Sequence, residues 1–394
     1  MKIGFVGPID TRLLAETLGL GEDTLPEAYG FPMNSLLVSA FLAEGHEVVV
    51  FGLSNQISQP EKWDFGALKI CLGRYRNSHR ARDFFKLERN DLQAAIEQEP
   101  CDVLSAHWSY EFALAALSVD PDALVTVQDW APAIFWQMTD AYRFMRLLMA
   151  AAVYFKGKHY SVNSPYIKRV IERWTFNSAE LIPNAIPSKS FNRVAKWKNQ
   201  AEARTVVAIN RGFFKRKNLP ALLQAFSQVR TVQPTIRLKL IGVGSEIGGE
   251  GHLWAIERKL DEGVDFLGDM AYSKAQDHLR DASLLVHPSH EESFGMVLIE
   301  AMAMGVPVIG GIRSGAVPWV LGEGEAGLLV DVANVDAIAI GMTSLLTKES
   351  DWQRFSDAGY EFASDNFQMS AVAGRYLDLY ERILSQKNGS KATN

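Results

Sequence analysis

Short apolar runs alternate with stretches in which apolar residues recur every three to four positions, and this alternation repeats along most of the chain. Runs bounded by turn residues read as buried strands, and the three-to-four spacing reads as helices with one buried face. In the first half, Ile3–Val6, Val48–Phe51, Asp102–His107, Leu124–Val127 and a short run from His159 predict strands. A helix is predicted over Pro32–Glu44, with Leu36, Leu37, Ala40 and Phe41 on one face and Gly45 as its stop. Another begins at Ser164-Pro165, a cap followed by a first-turn proline. In the second half, Thr205–Ile209, Arg237–Gly242, Val264–Gly268, Ala282–Val286, Val306–Ile309 and Ala326–Val330 predict strands. Helices are predicted over Leu219–Gln233 and Ala275–Asp281. A last amphipathic helix runs over Phe367–Leu384, marked by Val372, Tyr376, Leu379, Tyr380 and Ile383, and residues after Gln386 read as frayed. Strands alternating with helices predict an α/β fold with parallel sheets.

The chain has 394 residues, which predicts two domains of roughly 150–200 residues each. The prolines of Leu181–Pro187 and the polar segment Ser188–Arg204 mark the boundary. The expected division is 1–188, 189–366, and a C-terminal helix with a tail, 367–394, that packs back on the first domain. Each half reads as its own β/α sheet, and strand ends facing one another across a cleft would form the site. The net charge of −6 argues against a nucleic-acid partner. Cys71 and Cys101 have no metal-ligand spacing and predict plain thiols in a reducing, cytoplasmic setting. Met1–Val6 reads as a strand start and not as a signal peptide. The longest apolar candidate for a membrane span, Phe144–Phe155, contains Arg146 and is too short.

Candidate chemistry concentrates at predicted strand ends, where parallel sheets bind ligands. The stretch Ala282–Ile309 reads as strand, loop, helix, strand; Glu292 and Glu300 bracket the start of its helix, with Gly295 between them. Free amides there would suit a diphosphate, while two solvated or capping glutamates are the plainer reading. Arg211, Lys215, Arg216 and Lys217 follow the Thr205–Ile209 strand and read either as a phosphate seat or as a basic surface loop. Gly242-Val243-Gly244 is not a dinucleotide fingerprint. In the first half, His107 ends a strand, and Gly30 lies in the long loop Ile9–Phe31 as either a turn residue or a point of substrate approach. Arg74–Arg89 is locally basic with Phe84, Phe85 and Leu87 interleaved. It reads as a solvated helix face over core aromatics, or as a contact with anionic lipid or an anionic acceptor.

Taken together, these residues resemble a family 4 retaining glycosyltransferase, one of the glycosyl transferases group 1, with the GT-B fold. The resemblance covers nearly the whole chain. It rests on Glu292 and Glu300, seven residues between them, within Pro288–Met296. Asn210-Arg211 with Lys217-Asn218, Phe266-Leu267-Gly268, Ile182-Pro183-Asn184 and Gly45-His46-Glu47-Val48 support it by their order. The resemblance implies two Rossmann-like β/α/β domains facing across a deep cleft, with the C-terminal helix crossing back to the first. It implies that Glu300 binds the ribose hydroxyls of a nucleotide and Glu292 the donor sugar. Ser293, Phe294, Gly295, Met296 and Val297 would meet sugar and diphosphate through backbone amides. Arg211 and Lys217 would bind the diphosphate, Gly268 to Tyr272, Met270 included, would border the base, and His107 would lie near the donor sugar. The chain departs from common patterns at Gly30, Gln128-Asp129, Asn184-Ala185 and Pro318-Trp319.

The implied reaction moves a sugar with retention from a nucleoside diphosphate sugar to a hydroxyl of a glycan or lipid-linked acceptor, in surface polysaccharide or glycoconjugate assembly. Fixed cations and helix amides would stabilise the leaving diphosphate, so no metal and no permanently bound cofactor are expected. The chain contains one Asp-x-Asp triplet, Asp120-Pro121-Asp122. The implied location is the cytoplasm, with a peripheral contact to the inner face of the membrane through Arg74–Arg89 as a separate expectation. A glycoside phosphorylase, a nucleotide-sugar epimerase and a non-catalytic sugar-nucleotide binder are the alternatives.

Overall fold

The computed structural model describes residues 1–21, 24–198, 204–213 and 215–392. Phe214 and the Lys215 side chain of the predicted basic loop, part of the predicted boundary segment, and the last two residues of the predicted tail lie outside the described residues. The chain divides into two compact units, Met1–Ala185 with Met369–Asn394, and Ile186–Gln368.

The first unit holds an eight-stranded sheet of β1 (Lys2–Val6), β2 (Glu47–Ser54), β3 (Glu61–Asp64), β4 (Leu68–Arg74), β5 (Val103–His107), β6 (Leu124–Val127), β7 (His159–Val162) and β8 (Ala179–Leu181). Its order is β3-β4-β2-β1-β5-β6-β7-β8, and only the edge pair β3–β4 is antiparallel. The helices between these strands are α1 (Thr11–Thr17), α2 (Pro32–Ala43), α3 (Lys86–Gln98), α4 (Glu111–Val119), α5 (Ala131–Gln137), α6 (Ala141–Lys156) and α7 (Pro165–Thr175). The central strands β1, β2, β5 and β6 are buried on both faces, which is why they read as continuous apolar runs and not as alternating ones.

The second unit holds β9 (Thr205–Ile209), β10 (Arg237–Ile241), β11 (Val264–Gly268), β12 (Leu284–His287), β13 (Val308–Gly311) and β14 (Leu328–Val330). Their order is β11-β10-β9-β12-β13-β14, all parallel. This is the doubly wound arrangement, in which the order reverses between β9 and β12 and leaves a crevice at the strand ends there. Its helices are α8 (Leu219–Val232), α9 (Glu250–Glu257), α10 (Tyr272–Arg280), α11 (Met296–Ala303), α12 (Val317–Val320), α13 (Val335–Thr347) and α14 (Glu349–Asn366). The last helix, α15 (Met369–Ala392), belongs to the first unit, where Tyr376 and Tyr380 pack on Phe41 of α2.

The structure adds elements that the pattern does not predict. α1 lies inside the predicted loop Ile9–Phe31, started by Asp10, whose side chain accepts from the Leu13 amide at 2.9 Å. The β3–β4 hairpin extends the first sheet beyond β2. α15 continues past Gln386, where the sequence predicts fraying, and the Lys387 ammonium meets Asp120 at 2.7 Å.

Candidate functional site

The strongest concentration of buried charge in the second unit lies at the β9–β12 switch point. His287 ends β12, and the loop after it carries Glu291 and Glu292. The loop after β9 carries Arg211, Arg216 and Lys217. Lys217 Nζ lies 2.5 Å from Glu292 Oε1, and His287 Nε2 lies 3.1 Å from the same oxygen. Arg216 reaches Glu291 Oε2 at 3.4 Å and Glu292 Oε2 at 3.8 Å. Burial alone would raise the Glu292 carboxyl, but Lys217, the His287 hydrogen bond and Arg216 outweigh it and hold the group well below the usual carboxylate range. Glu291 goes the other way, pushed up by burial against the opposing charge of Arg216.

Two glycines let the backbone close around this loop. Gly315 has φ +66°, and a Cβ there would stand 2.4 Å from the Glu292 carbonyl oxygen. Gly242 has φ +117°, and a Cβ would stand 1.9 Å from the Asn210 carbonyl oxygen. The glycines after β10 and β13 therefore serve close backbone contact, which is a use that G-x-G patterns have outside a dinucleotide fingerprint.

Glu300 sits one turn into α11, whose N-cap is Gly295 and whose first amides have no side-chain cap. Its Oε1 accepts from the Tyr272 hydroxyl at 3.1 Å and its Oε2 from Gln276 Nε2 at 2.9 Å. Burial raises the Glu300 carboxyl, and these two neutral donors only partly oppose it. Both donors come from α10, the helix that follows the β11 strand end. Gly268 and Met270 lie on that same connection.

Five buried polar atoms without a hydrogen-bond partner among the described residues lie at or just beyond these strand ends: Asn210 Nδ2, Ser245 Oγ, His287 Nδ1, Glu291 Oε1 and Ser314 Oγ. Buried polar groups are nearly always paired, so these are atoms that a polar ligand or ordered water could satisfy.

The structure thus brings Lys217, Glu292, the 293–297 loop and helix start, Glu300 and the Gly268–Met270 connection to one edge of one sheet. Phe294 is there through its backbone, because its ring is core, packed edge-on to Trp319 and Phe367. Arg211 is exposed on the same loop as Lys217 but makes none of the carboxylate contacts. Arg216, Glu291, His287, Tyr272 and Gln276 complete the arrangement. Arg216 belongs to the basic loop and Tyr272 to the Gly268–Tyr272 segment singled out in the sequence, whereas no role follows from the sequence for Glu291, His287 and Gln276.

His107 belongs to the first unit. It is fully buried at the end of β5, stacked on Phe5 at 4.2 Å between ring centroids and 5.8 Å from Tyr376. Its Nε2 lies 3.4 Å from Ser105 Oγ, and its Nδ1 has no partner among the described residues. Burial pushes its pKa down to about 3, so the imidazole is neutral. The next residue, Trp108, adopts φ +79°, an uncommon conformation for a bulky side chain. Gly30 is packed against backbone, since a Cβ there would stand 3.1 Å from Asp10 Cα.

The fold is GT-B. Sucrose-phosphate synthase from Thermosynechococcus elongatus superposes with a TM-score of 0.79 at 20% identity, covering 98% of this chain and 100% of that one. The Anabaena protein HepE in complex with UDP superposes with a TM-score of 0.66 at 16% identity, covering 97% and 100%. Residues 191–362, within the second unit, match the model of the glycosyl transferases group 1 family. Among curated relatives, the N-acetyl-alpha-D-glucosaminyl L-malate synthase of Bacillus anthracis is 31% identical over 45% of this chain and 45% of its own length. The phosphatidyl-myo-inositol mannosyltransferase of Mycobacterium leprae is 29% identical over 57% and 60%. The matched part spans about half the length of these relatives.

Proposed function

We propose that the protein is a retaining glycosyltransferase that moves a sugar from a nucleoside diphosphate sugar to a hydroxyl acceptor. The observation that carries this reading is the separate fixation of two buried carboxylates at one switch point. Glu292 is held charged between Lys217, His287 and Arg216, while Glu300 is held by neutral donors alone. A nucleotide sugar needs this combination: hydroxyl acceptors at its ribose and sugar ends, and cations between them. The group 1 match and the names of the relatives support the reading.

In this reading Glu300 accepts from the ribose hydroxyls, and Tyr272 and Gln276 keep its carboxylate aimed. Gly268 to Tyr272 border the base. Glu292, with the amides of residues 293–297, holds the donor sugar. Lys217, Arg211 and Arg216 stabilise the negative charge that builds on the diphosphate as the glycosidic bond breaks, which requires no metal. Lys217 already has a carboxylate partner, so it meets the diphosphate without having been freely solvated beforehand. The anomeric carbon gains positive character, and the departing phosphate oxygen takes the acceptor's proton on the same face. His107, neutral at physiological pH, keeps Nδ1 without a partner among the described residues at the end of β5. The acceptor is a glycan or a lipid-linked glycan, and the enzyme works in the cytoplasm at the inner membrane face. Among the described residues, no helix is long and apolar enough to cross a membrane.

A thermal-shift panel of nucleoside diphosphates, followed by turnover of the matching nucleotide sugars, tests the assignment. One diphosphate is expected to stabilise the wild type and to lose that effect with Glu300→Ala. Near-normal turnover by Glu300→Ala with every donor that the wild type uses would refute the site.

A further inference from the structure

The arginines of the Arg74–Arg89 stretch are mostly engaged within the fold. Arg74 pairs with Asp91 at 2.8 Å, and Arg76 pairs with Asp83 at 2.9 Å and Glu88 at 2.6 Å. Arg80 lies 4.2 Å over the Tyr75 ring and donates to the Arg76 carbonyl, and Arg89 donates to the Phe84 carbonyl. Charges neutralised in this way attract an anionic surface weakly.

The exposed apolar surface of the first unit lies elsewhere. Its exposed large apolar side chains among the described residues are Phe84, Trp136, Phe144, Leu148, Phe155, Trp174 and Phe176, so all but Phe84 fall between positions 136 and 176. On α6, Ala141, Phe144, Leu148, Ala151 and Phe155 are exposed and are spaced alternately three and four apart, which places them in one stripe. The opposite face of the same helix buries Met149, Ala150, Val153 and Tyr154 in the core. A helix that is apolar on both sides is not built for one side to face water.

The neighbours of α6 extend the stripe at both ends. The ring of Phe135 on α5 lies 5.8 Å from Phe144, and the next residue, Trp136, is 84% exposed. Trp174 at the end of α7 lies 5.4 Å from Trp130, which in turn stacks on Tyr154, the neighbour of Phe155. Phe176 caps α7 at φ +57° and is 92% exposed, where glycine or asparagine is the usual choice. Nothing within the fold asks for a large ring there.

The charges beside the stripe decide what covers it. Residues 131–180 carry seven Lys and Arg against three acids, in a chain whose net charge is −6. Each acid is paired: Asp140 with Arg143, Glu172 with Lys168, and Glu180 with Arg382. Lys156, Arg169 and Arg173 have no acidic partner within salt-bridge distance among the described residues. At the N-terminal end of α6, a cavity of about 610 Å³ is lined by Ala141, Tyr142 and Met145 together with Arg80 and Arg82. Cations therefore stand at both ends of an aromatic stripe. A second copy of the chain would set these cations against one another. Trp and Phe beside unpaired Lys and Arg match the interface of an anionic bilayer, where rings enter the headgroup layer and cations meet phosphate.

We propose that α5, the outer stripe of α6 and the end of α7 form a docking surface for an anionic lipid bilayer. The surface is independent of donor chemistry. Full-length protein should co-sediment with phosphatidylcholine vesicles that contain phosphatidylglycerol, and much less with phosphatidylcholine alone. Phe144→Ser with Phe155→Ser should weaken binding at least about tenfold, since two exposed rings lose their apolar burial. Arg169→Gln with Arg173→Gln should weaken binding at low salt by about fivefold per charge. Circular dichroism and nucleoside diphosphate binding should be unchanged in both variants, which separates failure of this surface from failure of the donor site. The proposal is overturned if the wild type ignores phosphatidylglycerol vesicles or if both variants bind them as the wild type does. It is also overturned if the wild type is a lipid-free dimer that the two serines make monomeric.

Discussion

Glu292 and Glu300 lie eight positions apart on one loop and one helix, and both are buried, yet they contribute to stability with opposite sign. The Glu292 carboxyl is depressed in the fold, so between its folded and unfolded values the unfolded chain binds more protons. Its contribution is therefore present at neutral pH and fades as pH falls below the ordinary glutamate value of about 4.3. The Glu300 carboxyl is raised, so the folded state binds more protons between the two values. Its contribution is greatest at acid pH and is lost as pH rises through the raised value. Urea unfolding across pH should show this directly. Glu292→Gln should flatten the acid limb of the stability profile. Glu300→Gln should be more stable than the wild type at neutral pH, while binding a nucleoside diphosphate about tenfold or more weakly through loss of charge-assisted hydrogen bonds. A Glu300→Gln protein less stable than the wild type at pH 7 would contradict the assignment of burial as the dominant influence. The two glutamates were legible in the sequence because their spacing lies within one local unit. Their pairing with Lys217, Arg216, Tyr272 and Gln276 was not, because these reach them from strand ends and helices that only the folded sheet brings close.

At the scale of elements, several of the runs that read correctly are buried on both faces. β1, β5, β6, β9 and β12 carry few or no charges, and their apolar continuity reveals them. β4 interrupts its run with Lys69 and Gly73, and β3 is an edge strand of mostly exposed polar residues, so neither has a buried-strand signature. α1 was hidden because only seven residues separate its cap from a glycine-rich turn. The fold uses Gly242 and Gly315 to let strand-end loops touch backbone to backbone. Gly242→Ala should therefore cost about 2 kcal/mol or more, from a left-handed conformation that alanine resists and from contact with the Asn210 carbonyl. Denaturant unfolding measures this. A cost within a few tenths of a kcal/mol of zero would mean that the 210 and 242 loops separate freely, and the strand-end crevice would then not be preformed.

At the scale of the whole molecule, the chain leaves the first unit after Ala185 and re-enters it at Met369. The two connecting segments run side by side, with the Ile186 amide donating to the Phe367 carbonyl at 3.0 Å and a parallel bridge between Ile186 and Gln368. The second unit is an uninterrupted stretch with its own core, so residues 186–368 expressed alone should unfold cooperatively. Residues 1–185 alone lack α15, which covers Phe41 and His107 with Tyr376 and Tyr380, and should show a broad, low-amplitude transition. Circular dichroism melts of the two pieces check both statements, and a sharp transition for 1–185 would contradict the second. The expected tail helix was legible from its period, but the place where the chain crosses over was visible only as a proline-rich interruption near Pro183 and Pro187. This discontinuity also orders events on the ribosome. The half made first cannot finish until the last two dozen residues have emerged, so the half made second is complete while the first still waits for its closing helix. A stalled or shortened message would then release a protein with a finished second unit attached to a first unit whose sheet lacks its closing helix, the kind of nascent product that chaperones hold and proteases remove.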